Sequence, residues 1–238
     1  MLAISVAAHA LETVPTPSGR LAVRRISPFD RPLFVFEADL IGSDAAAARD
    51  HDALASCFWP AATSLASLLM DTDLTGVSVC DLGCGTGLCS LAAAASGANV
   101  VALDVEPTAL ALTSAAADAQ GLGERVEARE FDVLSDAPLP CTPDLLIASD
   151  CFVTPPLARA LAARARAAHN AGATVLLIDP RRPTRDDFDR AWSAVDGHPA
   201  WRPLDAALGA ELAACAAGAT PRALFVDTEV GAPVDFCI

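Results

Sequence analysis

Five strand-like runs, each ending on an aspartate, restrict the fold more than any other feature of this chain. They are Val77–Asp81, Asn99–Asp104, Val126–Val133 with Asp132, Asp144–Ser149 followed by Asp150, and Thr174–Ile178 followed by Asp179. Helical segments punctuate the series. Leu88–Ala95 ends at Gly97, Pro107–Gln120 has proline in its first turn and Gly121 past its end, and Pro155–Asn170 is closed by Gly172. Arg185–Val195 follows the fifth run as a further helix. Strands separated by helices pair in parallel, and the helices then cover both faces of the sheet. The near-continuous apolar runs VVALD, LLIASD and VLLID are what strands buried on both faces require. The expected class is α/β, a doubly wound, mostly parallel sheet.

In an open sheet of this kind ligands bind beyond the carboxyl ends of the strands. Asp81, Asp104, Asp132, Asp150 and Asp179 are therefore expected along one edge. Any one of them could serve as a helix cap. All five together, beside a glycine-rich loop, favour a binding cleft. The loop is VCDLGCGTGLCSL, Val79–Leu91. A dinucleotide fingerprint would have its third glycine at Leu88, whereas the spacing here is D-x-G-x-G-x-G, from Asp81 through Gly83, Gly85 and Gly87. A carboxylate at Asp81 would oppose a pyrophosphate and suit a cationic ligand. Asp104 can accept both hydroxyls of a ribose. Asp132 and Val133 can meet an adenine amino group and pack against its ring.

Elsewhere the pattern is less regular. Leu21–Ile26 and Leu33–Ala38 read as short strands around a turn at Ser27–Asp30. Helical spacing begins near Ala45 and resumes over Pro60–Met70, after Trp59. The tail adds a helix, Asp205–Ala217, and a strand, Arg222–Asp227. Residues 1–50 are expected to form an N-terminal extension and residues 51–238 the ligand-binding domain, without internal repeats or a long linker. Leu2–Leu11 has no basic start and runs into Glu12, so it reads as a strand or frayed start rather than a signal peptide. No window of 18 apolar residues free of charge argues for a membrane span.

Composition removes whole classes of chemistry. Net charge is −14, against nucleic acid as the main partner and compatible with a cationic protein or a small-molecule substrate. Acidity of this kind equally serves solubility. All 16 basic residues are arginine, so Schiff-base and P-loop lysines are excluded, and with Tyr at 0 there is no catalytic phenol. None of the 8 cysteines forms a C-x-x-C pair and no histidine stands at ligand spacing beside them, so no metal site is expected. Free thiols favour a reducing compartment. The expected location is cytoplasmic, with Arg20, Arg24 and Arg25 leaving a mitochondrial segment open. His9, His51, His169 and His198 sit off the strand ends and read as surface residues.

The motifs DLGCGTG, LDVEP and EFDVL resemble class I S-adenosylmethionine-dependent methyltransferases over about residues 57–190. Three further stretches narrow the likeness: Phe58-Trp59-Pro60, IASDCF, and Ile178–Pro183. They resemble the seven-β-strand protein methyltransferases, and most of all the electron-transfer-flavoprotein β-subunit lysine methyltransferase-like proteins. The resemblance implies a Rossmann-like, seven-stranded sheet with S-adenosyl-L-methionine as cofactor. It implies Trp59, Asp81, Gly83, Gly85, Gly87, Asp104, Val105, Asp132, Val133 and Ser149 as its contacts. It also implies protein N-methylation, with lysine as the target. That family ends its fourth strand on acid-x-x-Tyr. Here Asp150 is kept but Val153 stands at the tyrosine position, which leaves arginine or a small-molecule amine open.

Methyl transfer from a sulfonium is an in-line displacement that needs a neutral nucleophile and exclusion of water, without metal or covalent intermediate. Asp150 is the expected catalytic residue, holding and orienting an amine or guanidine, or else it caps the helix at Pro155. Trp59 packs on the cofactor or serves as a core or lid aromatic. Asp179 and Arg182 are expected to pair at the substrate rim, or to be structural. A small-molecule N-methyltransferase, a nonenzymatic interaction protein on the same fold and an NAD-dependent oxidoreductase are the competing readings. Leu88 and the lack of tyrosine and lysine weigh against the last.

Overall fold

The computed structural model describes residues 9–16, 19–26, 33–38, 55, 57–220 and 222–228. Among the described residues, ten strands and six α-helices follow in chain order: β1 (His9–Thr16), β2 (Gly19–Ile26), β3 (Leu33–Ala38), α1 (Ala61–Met70), β4 (Ser78–Leu82), α2 (Leu88–Ala95), β5 (Asn99–Asp104), α3 (Pro107–Ala119), β6 (Val126–Glu130), β7 (Leu145–Ser149), α4 (Pro155–Asn170), β8 (Thr174–Asp179), α5 (Arg185–Asp196), β9 (Trp201–Pro203), α6 (Ala206–Ala216) and β10 (Ala223–Asp227). Seven strands form one sheet in the order β6-β5-β4-β7-β8-β10-β9. Every neighbouring pair in it is parallel. The strand order reverses between β4 and β7, the place where open α/β sheets open a crevice.

The period of two along the central strands sorts their side chains onto two faces. Leu145, Ile147, Leu176 and Ile178 join a core with Leu65 and Leu69 of α1 and with α2. Leu146, Ala148, Val175 and Leu177 join a second core with Leu161 of α4 and with Phe188 and Trp192 of α5. All six residues of β8 are buried, as a strand covered on both faces demands. In α2 the run Ala92-Ala93-Ala94 is fully enclosed, and its small side chains bring that helix close to the sheet. The helix α4 starts cleanly because Thr154 accepts from the Leu157 N–H and Pro155 needs no donor at the first turn.

A separate three-stranded sheet, β1-β2-β3, antiparallel throughout, precedes the seven-stranded one in the chain. Its third strand is not detached from the core, since Leu33 and Val35 are buried within it. Gln120, just past α3, clips this strand. Its Nε2 donates to the Phe34 carbonyl at 2.9 Å, and its Oε1 accepts from the Phe34 N–H at 3.1 Å.

The elements depart from sequence expectation in several places. The third run stops at Glu130, not Val133, because Asp132 Oδ1 accepts from the Leu134 N–H at 2.8 Å and folds the chain into a turn. The strand Trp201–Pro203 carries no readable period, being three residues long at the sheet edge. His169 is half-buried rather than at the surface, tilted against Trp192 at 6.3 Å. Thr154, not Asp150, caps the helix at Pro155. The helical spacing near Ala45 lies outside the described residues.

Candidate active site

The loop between β4 and α2 is built by three glycines with positive φ: Gly83 at 71°, Gly85 at 54° and Gly87 at 82°. Gly87 is the N-cap of α2, and a Cβ there would lie 2.5 Å from Thr113 Oγ1. A Cβ on Gly83 would lie 2.9 Å from Cys151 Sγ. The loop is fastened to β5 along its length. Gly83 and Cys84 donate to the Leu103 carbonyl at 2.8 and 3.0 Å, and Gly85 donates to Asp104 Oδ2 at 2.9 Å. Thr113 Oγ1 donates to the Gly85 carbonyl at 3.0 Å.

Asp81 lies beneath this loop, buried, and accepts from Ser90 Oγ at 2.6 Å. Burial pushes its carboxyl up to about 7 against the Ser90 hydrogen bond, with the charge of Asp104 adding to the rise. Asp104 is also buried and raised by burial, against hydrogen bonds from the backbone of Gly85 and Glu106. Its Oδ1 accepts from Glu106 N at 3.1 Å. The two oxygens of that carboxylate thus take the Gly85 and Glu106 N–H groups, with the Val105 N–H beside them, and acceptor capacity remains for a ligand. Val105, the next residue, is 48% exposed despite its size, and Leu134 is 54% exposed. These two apolar side chains stand uncovered beside the ends of β5 and β6. Asp132 is exposed and Val133 half-buried.

At the end of β7, Asp150 adopts a left-handed conformation, φ 59°, that few non-glycine residues take. Its Oδ1 accepts from Arg182 Nε in an ion pair whose carboxylate is only 5% exposed. The guanidinium carbon of Arg182 sits 5.0 Å from the ring centre of Trp59. Burial raises the Asp150 carboxyl, and the Arg182 hydrogen bond and charge lower it in part. The Asp179–Arg182 pairing expected from sequence is therefore corrected. Arg182 gives Asp179 its backbone N–H, at 3.0 Å, and its side chain goes to Asp150. The side-chain partner of Asp179 is Arg185, at 2.7 Å. Arg185 also pairs with Asp227 and lies 4.1 Å over the Trp201 ring.

The strand ends thus bring together Asp81, Asp104, Asp150 and Asp179, with Asp132 turned outward on its own loop. Ser149 Oγ is buried without a hydrogen-bond partner among the described residues. Cys151 lies between β4 and β7, its Sγ contacting the Leu82 and Ser149 carbonyls at 3.3 and 3.2 Å. Burial raises this thiol, so it stays protonated and unreactive at neutral pH. Sequence reasoning missed Asp227, a sixth strand-end aspartate, and Arg185. The signal was present in the ending LFVD and in the arginine following IDPRRPT. Two shallow depressions, of about 370 and 380 Å³, lie at the other end of the sheet beside Asn99 and beside Gly97. No strand-end aspartate lines either of them.

A family described as "Methyltransferase domain" matches residues 79–172, the stretch holding the glycine loop, Asp104 and Asp150. That stretch of the chain is thus similar to a methyltransferase domain. The chain is 32% identical over 147 residues to the electron transfer flavoprotein beta subunit lysine methyltransferase of Danio rerio, covering 56% of this chain and 52% of that protein. It is 45% identical over 65 residues to the ribosomal protein L11 methyltransferase of Methylococcus capsulatus, covering 27% of this chain and 22% of that protein. The Actinobacillus succinogenes protein of the same name is 39% identical over 56 residues, 23% of this chain and 19% of its own length. The chain thus spans about half, or less, of the relatives it matches.

Proposed function

We propose that this chain is an S-adenosylmethionine-dependent N-methyltransferase acting on a protein side chain, with lysine the foremost target. The observation that carries the reading is the glycine loop pinned to Asp104. Three glycines at positive φ route the loop tightly past Cys151 and Thr113, the Gly85 N–H holds Asp104 in place, and that carboxylate keeps acceptor capacity for a ribose hydroxyl. Uncovered Val105 and Leu134 suit an adenine ring. In this reading Gly83, Gly85, Gly87, Asp104 and Val105 hold the cofactor, with Asp81 beneath the loop and Asp132, Val133, Ser149 and Trp59 at its borders. When bound, the cofactor supplies an electrophilic methyl group.

The chain's own residues supply orientation. Asp150, buried at the end of β7, holds the acceptor nitrogen by charge and hydrogen bonding, and aims its lone pair. The departing proton can pass to Asp150 or to water, since the Asp150 carboxylate is the acceptor placed beside the nitrogen in this reading. The names of the relatives support a protein substrate. A small-molecule amine is the second reading, favoured by Val153, which is 38% exposed where the family's tyrosine would stand.

The test is incubation of the chain with methyl-labelled cofactor and a dialysed cell extract. Label in acid-precipitable protein, recovered as methyl-lysine on hydrolysis, is expected. Label confined to added small amines would transfer the assignment to the second reading.

A further inference from the structure

We infer that Arg182 is a resident stand-in for the cationic methyl acceptor, filling the Asp150–Trp59 site until an incoming cation displaces it. The inference rests on Asp150 being the acceptor-side carboxylate. Three observations carry it. The first is that the site already holds a cation in the manner an acceptor would be held. A buried carboxylate takes the guanidinium on one side, and an aromatic face covers it at 5.0 Å. These two groups recognise an arginine or lysine side chain from any source.

The second is a contrast between neighbouring arginines. Arg185 is 12% exposed and fixed by Asp179, Asp227 and the Asp179 carbonyl, under the face of Trp201. Arg182 is 25% exposed and bonded through Nε to Asp150 alone among the described residues. Its backbone is anchored separately, through its N–H to Asp179 Oδ2. The side chain of Arg182 can therefore leave while its loop stays in place.

The third is charge balance. Leaving Asp150 buried and unpaired is costly, so Arg182 can depart only when another cation takes its place or a proton does. Cation-for-cation exchange keeps the pair intact. A neutral or anionic side chain offers no such compensation. The resident guanidinium thus selects cationic acceptors and keeps the buried carboxylate paired when none is present.

Ethylguanidinium and n-butylammonium chlorides, with ethylurea as the neutral control, would be titrated into the wild type, Arg182→Ala and Arg182→Gln. The reporter is the Trp59 indole N–H resonance, assigned by its loss in Trp59→Phe. Both cations are expected to bind each Arg182 variant roughly tenfold or more tightly than the wild type, a gain of about 1.4 kcal/mol. Adding Asp150→Asn to either variant should remove the gain, and ethylurea should bind none of them. Equal cation binding by wild type and whichever Arg182 variant keeps the Trp192 and Trp201 resonances unshifted overturns the inference. S-adenosylhomocysteine binding, measured on the same samples, reports on the cofactor reading by itself. Its absence would sink that reading without altering the cation comparison.

Discussion

Gly85 donates its backbone N–H to Asp104 Oδ2 at 2.9 Å, so the glycine loop after β4 is tied to the carboxyl end of β5. The same carboxylate takes the Glu106 N–H on its other oxygen, at 3.1 Å. One buried side chain therefore fixes the loop's position and starts the turn into α3. Asp104→Ala leaves both donors without this acceptor. A loss of about 1–3 kcal/mol of stability is expected, read by urea unfolding. Asp104→Asn should lose less, since its amide oxygen can keep one of the two bonds.

Gly87 makes a second junction, between the loop and α3. An alanine there must adopt φ 82° and place its Cβ 2.5 Å from Thr113 Oγ1 and 2.6 Å from its Cγ2. The backbone term alone costs about 1–2 kcal/mol. Gly87→Ala should lower the melting temperature, and combining it with Thr113→Ala should recover the steric part. Strictly additive losses in the double variant would place the strain elsewhere.

Asp81 makes stability depend on pH. Its folded carboxyl stands at about 7, above the ordinary value of 3.8, so the folded state binds a proton that the unfolded chain releases. The stabilisation is fully present below the ordinary value and is lost as pH rises through the folded one. Asp81→Asn does not titrate. Its melting temperature should gain on the wild type as pH rises from about 4 to 7, the span set by the two values. A gap that stays constant over that range would mean Asp81 is ionised throughout.

Arg185 holds the ends of β8 and β10 together through Asp179 and Asp227. Arg185→Ala leaves buried Asp179 without its side-chain cation, leaves Asp227 only the exposed Arg181 at 3.4 Å, and uncovers the Trp201 ring. A loss of about 3–5 kcal/mol is expected from breaking a buried pair. Arg185→Lys should restore only part, because an ammonium cannot bridge two carboxylates while lying flat on the ring at 4.1 Å.

The sheet was legible because buried parallel strands write their burial directly into sequence. Leu145–Ser149 and Thr174–Asp179 are apolar on both faces, and each is followed by a turn and a helix. The glycine spacing and Asp104 were legible for a related reason, since only certain residues permit that backbone and that hydrogen bond. What escaped was decided by tertiary geometry. Nothing local distinguishes Arg182 from Arg185 as the partner of Asp179. The left-handed turn at Asp150 decides it by aiming that carboxylate at Arg182. The end of β6 was misplaced because Asp132, which read as a strand terminus, spends its carboxylate on the Leu134 N–H. The edge strand β9 is too short to hold a period.

The most direct test of the account is calorimetric titration of the wild type and Asp104→Ala with S-adenosylmethionine, S-adenosylhomocysteine and NAD. The account predicts that both sulfur ligands bind the wild type, that NAD does not, and that Asp104→Ala weakens the sulfur ligands by roughly tenfold or more while staying folded. Binding of NAD, or no binding of either sulfur ligand by a folded wild type, would contradict it.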